Sequence, residues 1–429
     1  MRRGSRKMVR TSLFALALAS PVRSLLLPSV GPSRSHRLLP RCHTAAGAMA
    51  ATTRRRARPA WRGQSKKLVP SVSGCFSRPR GVGGRSGSHD ATAVAAAMKS
   101  SVSAAATGSI PPLTHEQLPD ESIYLLDGTS MLFRAFYGRG AGGYLGSNGA
   151  TEVGAVLAMG IEFAQFINEV KPRYIAMAFD VGRETTFRRK RYPEYKAQRK
   201  PVPVDLSLQI PLAKALSEAL GCRTFSMEGY EADDIMATLT RWGRSAGLGV
   251  VVCSSDKDMC QLVRDRVHIM QPRSNGYAVL GDEEVMSKFG VKPSSLPDLF
   301  GLVGDVADNI PGVKGIGQKG GSRLLEKFGT LEGVFAGLEA VGGMEIRGSK
   351  GLQALLSQPG AEEEAMLYRE IATLDDEVPL EGYDDLTSST FLYRGAAPEA
   401  EGVMSALGFH APLRMIQEGS ARPAARGAF

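Results

Sequence analysis

The stretch that decides the fold is Ile123-Tyr-Leu-Leu-Asp127-Gly128, an apolar run that ends in an acid and a glycine. A short apolar run closed by a turn signal is typical of a strand that is buried on both faces of a sheet. The same pattern recurs in Tyr174–Asp180 and in Gly249–Cys253. The sequence therefore predicts three buried strands, and two of them end in an aspartate.

The segments between these strands carry helical patterns of apolar residues. The patterns run from Met131, from Val153 to about Val170, from Leu206 to Leu220, and from Glu231 onward. A short strand near Arg223–Phe225 precedes the last of them. Strands that alternate with helices predict an α/β fold with a doubly wound, mostly parallel sheet.

Acidic residues follow the predicted strands at the point where each strand ends. Asp127 and Asp180 end two strands, and Asp256 and Asp258 follow the third directly. Because the carboxyl ends of parallel strands lie along one edge of a sheet, we expect these four acids to border one crevice.

Three further acids, Glu231, Asp233 and Asp234, occupy the predicted first turn of a helix, where they suit the helix dipole and can converge on the same crevice. Seven carboxylates in one crevice would repel one another and raise their pKa values, so they require cations. Clustered hard oxygen ligands select Mg²⁺ or Mn²⁺ over zinc. Each acid alone is also compatible with a helix cap or a turn, but their coincidence at four element ends favours a metal site.

The segment from Gly304 to Lys319 predicts a helix–hairpin–helix. It reads Gly-Asp-Val-Ala-Asp-Asn-Ile-Pro-Gly-Val-Lys-Gly-Ile-Gly-Gln-Lys and lies between predicted helices at Leu296–Val303 and Ser322–Phe328. Its glycines would allow a phosphodiester to approach closely, while backbone N–H groups, Lys314 and Lys319 supply positive potential. An ordinary tight turn is the alternative for any shorter part of this pattern.

Charge divides the chain of 429 residues into a basic leader and an acidic body. Residues 1–115 hold 20 Lys and Arg against one acid, Asp90, so the net charge of +10 leaves −9 for the remainder. An acidic body with separate basic patches suits an enzyme acting on phosphodiesters better than a packaging protein. The five cysteines have neither a CxxC pair nor a histidine at zinc spacing, which argues against a zinc site or a disulfide framework.

The leader has the Arg-, Ser-, Ala- and Gly-rich composition of an organellar transit peptide with a disordered linker. Basic residues before the apolar run Leu13–Ala19 resemble a secretory signal. A signal followed by a transit peptide would suit a plastid reached through the secretory route, so we expect a plastid rather than a mitochondrion. A nucleic-acid-binding tail, suggested by Arg54–Arg56 and Lys66–Lys67, is the alternative.

Six motifs in fixed order carry a family resemblance: Leu-Leu-Asp127-Gly, Phe-Asp180, Arg188 with Tyr192-Pro-Glu-Tyr-Lys196-Ala-Gln-Arg199, Gly229-Tyr-Glu231-Ala-Asp233-Asp234, Ser255-Asp256-Lys257-Asp258, and Gly304-Asp305 through Gly317. Residues from about 121 to 415 resemble the 5′→3′ exonuclease domain of the DNA polymerase I family, in the flap endonuclease superfamily. No polymerase domain is evident. The chain is therefore similar to the stand-alone organellar exonucleases of plants and algae.

The resemblance implies a PIN-like catalytic domain that hydrolyses phosphodiesters with two Mg²⁺ ions, for which Mn²⁺ can substitute. The implied ligands are Asp127, Asp180, Glu231 and Asp233 for the first ion, and Asp233, Asp256, Asp258 and Asp305 for the second, with Asp234 and Asp308 helping directly or through water. The implied catalytic residues are two of these ligands, Asp127 and Asp180, together with Lys196 and Arg199.

The resemblance also implies how DNA would be held. Lys196 and Arg199 belong to a basic arch, residues 183–205, and would polarise the scissile phosphate. Arg134 and Arg188 would contact phosphates, and Phe133 would stack on a base or pack in the core. The duplex would lie on the hairpin, which commonly also holds a K⁺ ion, through Gly312, Lys314, Gly315, Gly317 and Lys319.

Two positions depart from the family pattern. The family usually has Ser where Ala307 stands, and Thr-Ala where Gly320-Gly321 stand. Each glycine costs about 1 kcal/mol relative to alanine if it is helical, which could loosen the hairpin.

We expect four parts: a targeting leader and linker at 1–115, a catalytic domain at 116–290, a helical DNA-binding domain at 291–415 and a tail at 416–429. The expected function is a Mg²⁺-dependent 5′→3′ exonuclease and flap endonuclease that removes RNA primers or damaged 5′ ends in an organelle. We expect a monomer that binds DNA with 5′ ends or flaps, with an organellar DNA polymerase open as a partner. An RNA-directed nuclease and a catalytically silent branched-DNA-binding protein are the alternatives.

Overall fold

The computed structural model describes residues 118–119, 121–138, 144–182, 184–273, 276–345 and 348–421. The predicted targeting leader and Arg183 of the predicted arch lie outside these residues. Within the described part of the chain, no helix is both long enough and apolar enough to cross a membrane.

Six strands of the described residues form one sheet. They are β1 Ser122–Asp127, β2 Tyr174–Ala178, β3 Arg223–Phe225, β4 Gly249–Cys253, β5 Val267–Arg273 and β6 Gly276–Leu280. The order is β3-β2-β1-β4-β5-β6, and every pair is parallel except β5 with β6. The predicted mostly parallel α/β sheet is confirmed, whereas the antiparallel edge hairpin β5–β6 was not predicted.

Helices cover both faces of this sheet. They are α1 Gly128–Gly138, α2 Gly154–Val170, α4 Val204–Ala219 and α5 Ala232–Ser245, while the short helix α3 Phe187–Arg191 lies in the connection between β2 and α4. Successive side chains of β1 enter different cores: Ile123 and Leu125 pack on the α5 side, and Tyr124 and Leu126 pack on the side of α1, α2 and α4. The sheet is therefore doubly wound, as the continuous apolar strands indicate.

The strand order reverses between β1 and β4. The chain builds β2 and β3 on one side of β1 and then returns to place β4 on its other side. At such a switch point the flanking loops diverge and leave a crevice beyond the carboxyl ends of the strands. The end of β1 at Asp127 and the segment after Cys253 border this crevice.

A second group of helices packs on the α5 side. They are α6 Asp282–Phe289, α7 Leu296–Val303, α8 Gln318–Phe328, α9 Leu331–Ala336, α10 Leu338–Val341, α11 Ser349–Leu356, α12 Ala361–Ala372 and α13 Ser388–Phe391. Their apolar side chains join the sheet core without a break; for example, the rings of Phe391 and Trp242 lie 4.5 Å apart. One continuous core therefore spans the predicted domain boundary at residue 290.

The last two helices, α14 Ala400–Leu407 and α15 Ala411–Ala421, return to the opposite face of the sheet. The side-chain amide of Asn168 in α2 donates to the carbonyl of Met415 at 2.9 Å, and Ile416 is only 2% exposed. Helix α15 therefore runs past residue 415, the predicted end of the helical domain, and is still packed against the sheet domain at Ile416.

A tight hairpin joins α7 to α8 and contains a 3₁₀ turn at Val306–Asp308. Gly304 and Gly312 both have positive φ, 78° and 65°, and their backbones lie against each other. A Cβ on either glycine would overlap the main chain of the facing segment. These two glycines are therefore required for closing the hairpin on itself.

Helix α8 begins at Gln318, four residues before the predicted start, so Gly320 and Gly321 lie in its first turn. A Cβ on Gly321 would lie 2.7 Å from Val303 Cγ2 and 3.0 Å from Leu299 Cδ1. A Cβ on Gly320 would find its nearest atom 3.9 Å away. Gly321 therefore allows α7 and α8 to pack closely, whereas Gly320 only lowers helix propensity.

Substituting each glycine by alanine should separate these two effects. Gly320→Ala should raise the free energy of unfolding by about 0.5 kcal/mol, because alanine favours the helix. Gly321→Ala should lower it by about 1–3 kcal/mol, because its methyl group must displace Val303 and Leu299. Urea unfolding of the two variants measures both changes, and equal effects would contradict this packing.

Candidate active site

Hydrogen bonds join the ends of β1 and β4 at the switch point. Asp127, 5% exposed, accepts from the Ser130 backbone N–H at 2.8 Å and from Ser254 Oγ at 2.9 Å. Ser254 Oγ in turn accepts from the backbone N–H of Asp256 at 3.1 Å. This chain of bonds fixes Asp127 and Asp256 on adjacent sides of the crevice.

The end of β2 meets the first turn of α5. The Asp180 backbone N–H donates to Thr129 Oγ1 at 2.8 Å, and Asp180 Oδ1 accepts from the Ala232 N–H at 2.7 Å. Since Ala232 begins α5, the Asp180 carboxylate lies at a helix N-terminus, where negative charge is favoured. Glu231 and Asp233 flank that residue in the chain and border the same space.

Five of the predicted acids line one cavity of about 680 Å³. They are Asp127, Asp180, Glu231, Asp233 and Asp256. The side chains of Lys196, Arg199 and Lys257 reach the same cavity, and Phe133 forms part of its apolar wall. The structure thus brings carboxylates from three strand ends and one helix start into a single site.

A second acidic group, Asp258, Asp305 and Asp308, lies at the edge of this site. One carboxylate oxygen from each lies within 4.8 Å of the other two. Asp258 starts a 3₁₀ helix after β4, whereas Asp305 and Asp308 bound the turn of the α7–α8 hairpin. Asp305 also caps that turn by accepting from the Ala307 N–H at 3.0 Å. The hairpin therefore carries two acids to the sheet edge.

Two cations of the predicted arch contact both acidic groups. Lys196 Nζ lies 2.7 Å from Glu231 Oε1 and 3.5 Å from Asp308 Oδ2, and Arg199 Nη2 lies 2.6 Å from Asp308 Oδ1. The Lys196 backbone has φ 53° and donates its N–H to the Asp308 carbonyl at 2.9 Å. Lys196 is only 7% exposed, so it lies inside the site, and the segment that carries it is bound to the hairpin turn.

Sequence reasoning did not single out Tyr195 as a site residue. Its hydroxyl lies 2.7 Å from Glu231 Oε2 and 3.0 Å from Asp308 Oδ2, and the side chain is buried. Burial raises the pKa of Glu231, but the charges of Lys196 and Arg188 outweigh it and hold that pKa below its ordinary value. Proximity to Lys196 in the motif was the one available signal for this tyrosine.

Several carboxylates have raised pKa values. Burial, followed by the charges of Asp180 and Asp256, raises the pKa of Asp127 to about 6. Burial and then Asp256 raise the pKa of Asp258 to about 7, and the same two causes raise that of Asp233 well above its ordinary value. The negative charge of the site is therefore only partly balanced by the protein's own cations.

These properties fit a hard divalent cation. The predicted ligands in the cavity and in the adjacent trio are all carboxylates, which Mg²⁺, Mn²⁺ and Ca²⁺ prefer. A divalent ion would also stabilise the ionised form of carboxylates whose pKa values are raised by burial and mutual repulsion.

Arg188 and Asp234 form a buried ion pair. The two Arg188 terminal nitrogens lie 2.6 Å from the two Asp234 oxygens, and the residues are 2% and 0% exposed. Arg188 also donates to the carbonyls of Ile371 and Thr373. All three Arg188 nitrogens and both Asp234 oxygens thus have protein partners in this structure, and the predicted phosphate contact of Arg188 and metal role of Asp234 stay predictions.

The predicted DNA-binding residues of the hairpin lie in different surroundings. Gly312 packs closely against Gly304, and its predicted contact with DNA stays a prediction. Lys314 is exposed. A separate cavity of about 1030 Å³ is lined by Gly315, Gly317 and Lys319, together with Arg323 and Gly348.

Arg134, the remaining predicted phosphate contact, pairs with Glu162 at 2.5 Å.

Breaking the buried pair should destabilise the protein. Arg188→Met leaves Asp234 buried without its partner, and the free energy of unfolding should fall by about 3–5 kcal/mol. Arg191→Met is the matched control, because Arg191 lies in the same helix but forms an exposed pair with Glu370 and should cost less than about 1 kcal/mol. Unchanged stability of Arg188→Met in urea unfolding would instead favour a phosphate-binding role.

The raised pKa of Asp258 should make stability depend on pH. The Asp258 pKa is about 7 in the folded protein and near 4 in an unfolded chain, so between pH 4 and pH 7 the folded state binds more protons than the unfolded state. The folded state therefore loses stability as the pH rises through this range. In EDTA, Asp258→Asn should be more stable than the parent by roughly 2 kcal/mol at pH 8. That difference should shrink toward pH 5, and a difference independent of pH would contradict the assignment.

Two family models match consecutive parts of this chain. The family model for the 5′-3′ exonuclease, N-terminal resolvase-like domain, matches residues 122–290. The model for the 5′-3′ exonuclease, C-terminal SAM fold, matches residues 291–391. The first match contains the strand-end acids and the start of α5, and the second contains the hairpin acids.

Curated relatives are DNA polymerases I. The protein of Bacillus caldotenax is 34% identical over 315 residues, which are 72% of this chain and 34% of that protein. The protein of Mycobacterium tuberculosis H37Rv is 38% identical over 225 residues, which are 52% of this chain and 25% of that protein. The chain thus spans about a third or less of the length of these relatives.

Two solved structures are loosely similar. T5 5′-exonuclease with bound zinc has a TM-score of 0.47 and 19% identity, covering 70% of this chain and 98% of that one. The catalytic core of Rad2 in complex with a DNA substrate has a TM-score of 0.46 and 14% identity, covering 72% and 95%. The consecutive family matches over residues 122–391, with the predicted acids in place, show that this chain belongs to the 5′-3′ exonuclease family.

Proposed function

We propose that the protein is a Mg²⁺-dependent 5′→3′ exonuclease and flap endonuclease that hydrolyses DNA, including RNA-primed 5′ ends, by a two-metal mechanism. One observation carries this proposal: carboxylates from three strand ends, one helix start and one hairpin turn border a single site that Lys196 and Arg199 also reach. Acids that only capped helices or closed turns would have no reason to share one edge of the sheet.

The residues that would hold the two ions fall into the two acidic groups. The cavity carboxylates would hold one ion, and the trio Asp258, Asp305 and Asp308 would hold the other, with Asp233 and Asp256 on the cavity side. Divalent ions bound there would supply an activated water and a stabilised leaving oxygen. No side-chain nucleophile is then needed.

The protein's own groups would orient the substrate. Lys196 and Arg199 place two positive charges between the acidic groups, where a phosphodiester can exchange for part of their present contacts with Glu231 and Asp308. The Tyr195 hydroxyl would hold Glu231 in position while Lys196 turns toward the phosphate. The apolar wall at Phe133 offers a face for the terminal base.

The hairpin between α7 and α8 would bind the downstream duplex. A Cβ placed on Gly317 would meet no heavy atom of another segment within 4 Å, and exposed Lys314 and Lys319 lie close to this glycine in the chain. Open backbone beside lysines suits a phosphodiester, which a wider side chain would keep away. A K⁺ ion bound at this hairpin is part of the proposal.

The cellular setting is proposed from the leader and the relatives. The acid-poor, Arg-rich residues 1–115 support import into an organelle, a plastid rather than a mitochondrion. The similarity to part of DNA polymerase I supports a role in DNA replication and repair. We propose that the chain acts as a monomer.

Cleavage of a 5′-labelled DNA flap by the full chain tests the proposal. The parent should release short 5′ products with Mg²⁺ and none with EDTA. Asp180→Ala should reduce the rate by about 100-fold or more, because a ligand in the first acidic group is lost. Asp384→Asn, an exposed acid far along the chain from the site residues, is the control and should cleave like the parent.

Competition with an RNA flap of the same sequence would identify an RNA-directed nuclease if RNA were cut faster. Binding of the labelled flap without cleavage, in both Mg²⁺ and Mn²⁺, would instead indicate a catalytically silent branched-DNA-binding protein.

A further inference from the structure

The two acidic groups differ in how their charge is balanced. Among the described residues, four cavity carboxylates have no Lys or Arg nitrogen within 4 Å, and these are Asp127, Asp180, Asp233 and Asp256. Each carboxylate of the trio has such a partner: Lys257 for Asp258 and Asp305, and Lys196 with Arg199 for Asp308. At the position expected for the second ion, the three carboxylates of the trio therefore already have cationic side chains as partners.

Lys257 makes the shortest of these contacts. Its Nζ lies 2.5 Å from Asp305 Oδ2 and 3.5 Å from Asp258 Oδ1. The same Nζ lies 4.6 Å from the centroid of the Phe300 ring in α7, which is an attractive cation–π distance. Asp305 is 7% exposed and Phe300 is 5% exposed, so the ammonium is held between two buried groups of the helical part and one acid of the sheet edge.

We propose that Lys257 is the internal counter-ion of the second metal position, and that a divalent ion binds among Asp258, Asp305 and Asp308 by displacing its ammonium. This inference rests on the proposed two-metal function. A divalent ion must approach its carboxylate oxygens to about 2.0–2.6 Å. An ammonium bound to the Asp305 carboxylate competes with the ion for that group and repels it.

Two consequences follow for the unliganded protein. The first metal position, where Glu231 is the one predicted ligand with a Lys or Arg nitrogen within 4 Å among the described residues, should fill at lower metal concentration than the second. The second position should bind weakly, because the gain from the ion is offset by the loss of the Lys257 contacts with Asp258, Asp305 and the Phe300 ring. Lys257 thereby keeps the three acids together at low metal concentration and sets the concentration at which the second ion enters.

Calorimetric titration of the full chain with Mn²⁺, without DNA, tests this directly. The parent should show a tighter and a weaker class of sites, and Asp258→Asn should lose the weaker class. Lys257→Met removes the charge but keeps the length of the side chain. It should tighten the weaker class by about tenfold, equivalent to 1.4 kcal/mol, and leave the tighter class unchanged.

Lys288→Met is the matched control, because the Lys288 ammonium also lies over a phenylalanine ring, that of Phe289 at 4.9 Å, in the neighbouring helix α6. It should leave both classes unchanged. Lys257→Gln provides a second uncharged variant if Lys257→Met unfolds at a lower temperature than the parent.

Weaker or unchanged Mn²⁺ binding at the second class in both Lys257 variants would overturn the proposal, because removing an ammonium that competes with the ion must raise the affinity of that class. A parent protein that binds no Mn²⁺ at all would overturn the two-metal function together with this inference. Two classes in the parent with no change in the variants would overturn the role of Lys257 alone.

Discussion

Repulsion between carboxylates that share one edge of the sheet is the constraint on which the rest of the structure depends. Burial removes the water that would screen these charges, and proximity adds to the cost, which is why the pKa values of Asp127, Asp233 and Asp258 are raised. Hydrogen-bond donors close to these acids, such as Ser254 and the N-terminus of α5, offset part of this cost by stabilising the charged carboxylates. Lysine and arginine side chains, among them Lys196, Arg199 and Lys257, offset a further part of it.

The topology explains why these charges meet. A doubly wound sheet places the ends of β1, β2 and β4 side by side at the switch point, so each strand delivers its following residue to the same crevice. The hairpin between α7 and α8 then closes the crevice from the side of the helical part. One apolar core spans the sheet and the helical part. Its packing therefore holds the hairpin acids at a fixed position relative to the strand-end acids.

Much of this arrangement could be predicted from the sequence because its signals are local. Apolar runs that end in an acid or are closely followed by one predicted β1, β2 and β4, and the Gly-rich motif predicted the hairpin. The edge hairpin β5–β6 was missed because Val267–Arg273 mixes polar residues and a proline into a short strand, which weakens its periodicity. The packing of α15 was missed for a different reason: its burial depends on α2, a helix about 250 residues earlier.

The roles of individual charges could be predicted less well, because residue type does not determine pairing. Asp233 and Asp234 are adjacent acids in one helix turn, yet Asp233 lines the cavity and Asp234 points away into a buried pair with Arg188. A helix turns by about 100° per residue, so neighbouring side chains face different surroundings. Lys257 lies between two acids in the sequence, but its ammonium contacts Asp305 and the Phe300 ring, which are more than 40 residues away in the chain and could not be identified from local sequence.

Anomalous X-ray diffraction from crystals grown with Mn²⁺ would test the central claim most directly, because it locates the ions without reference to activity. Two peaks are expected, one among the carboxylates of Asp127, Asp180 and Asp233 and one against Asp258 and Asp305. A single peak at the cavity, or Mn²⁺ bound only at sites away from these acids, would contradict a two-metal centre at this edge of the sheet.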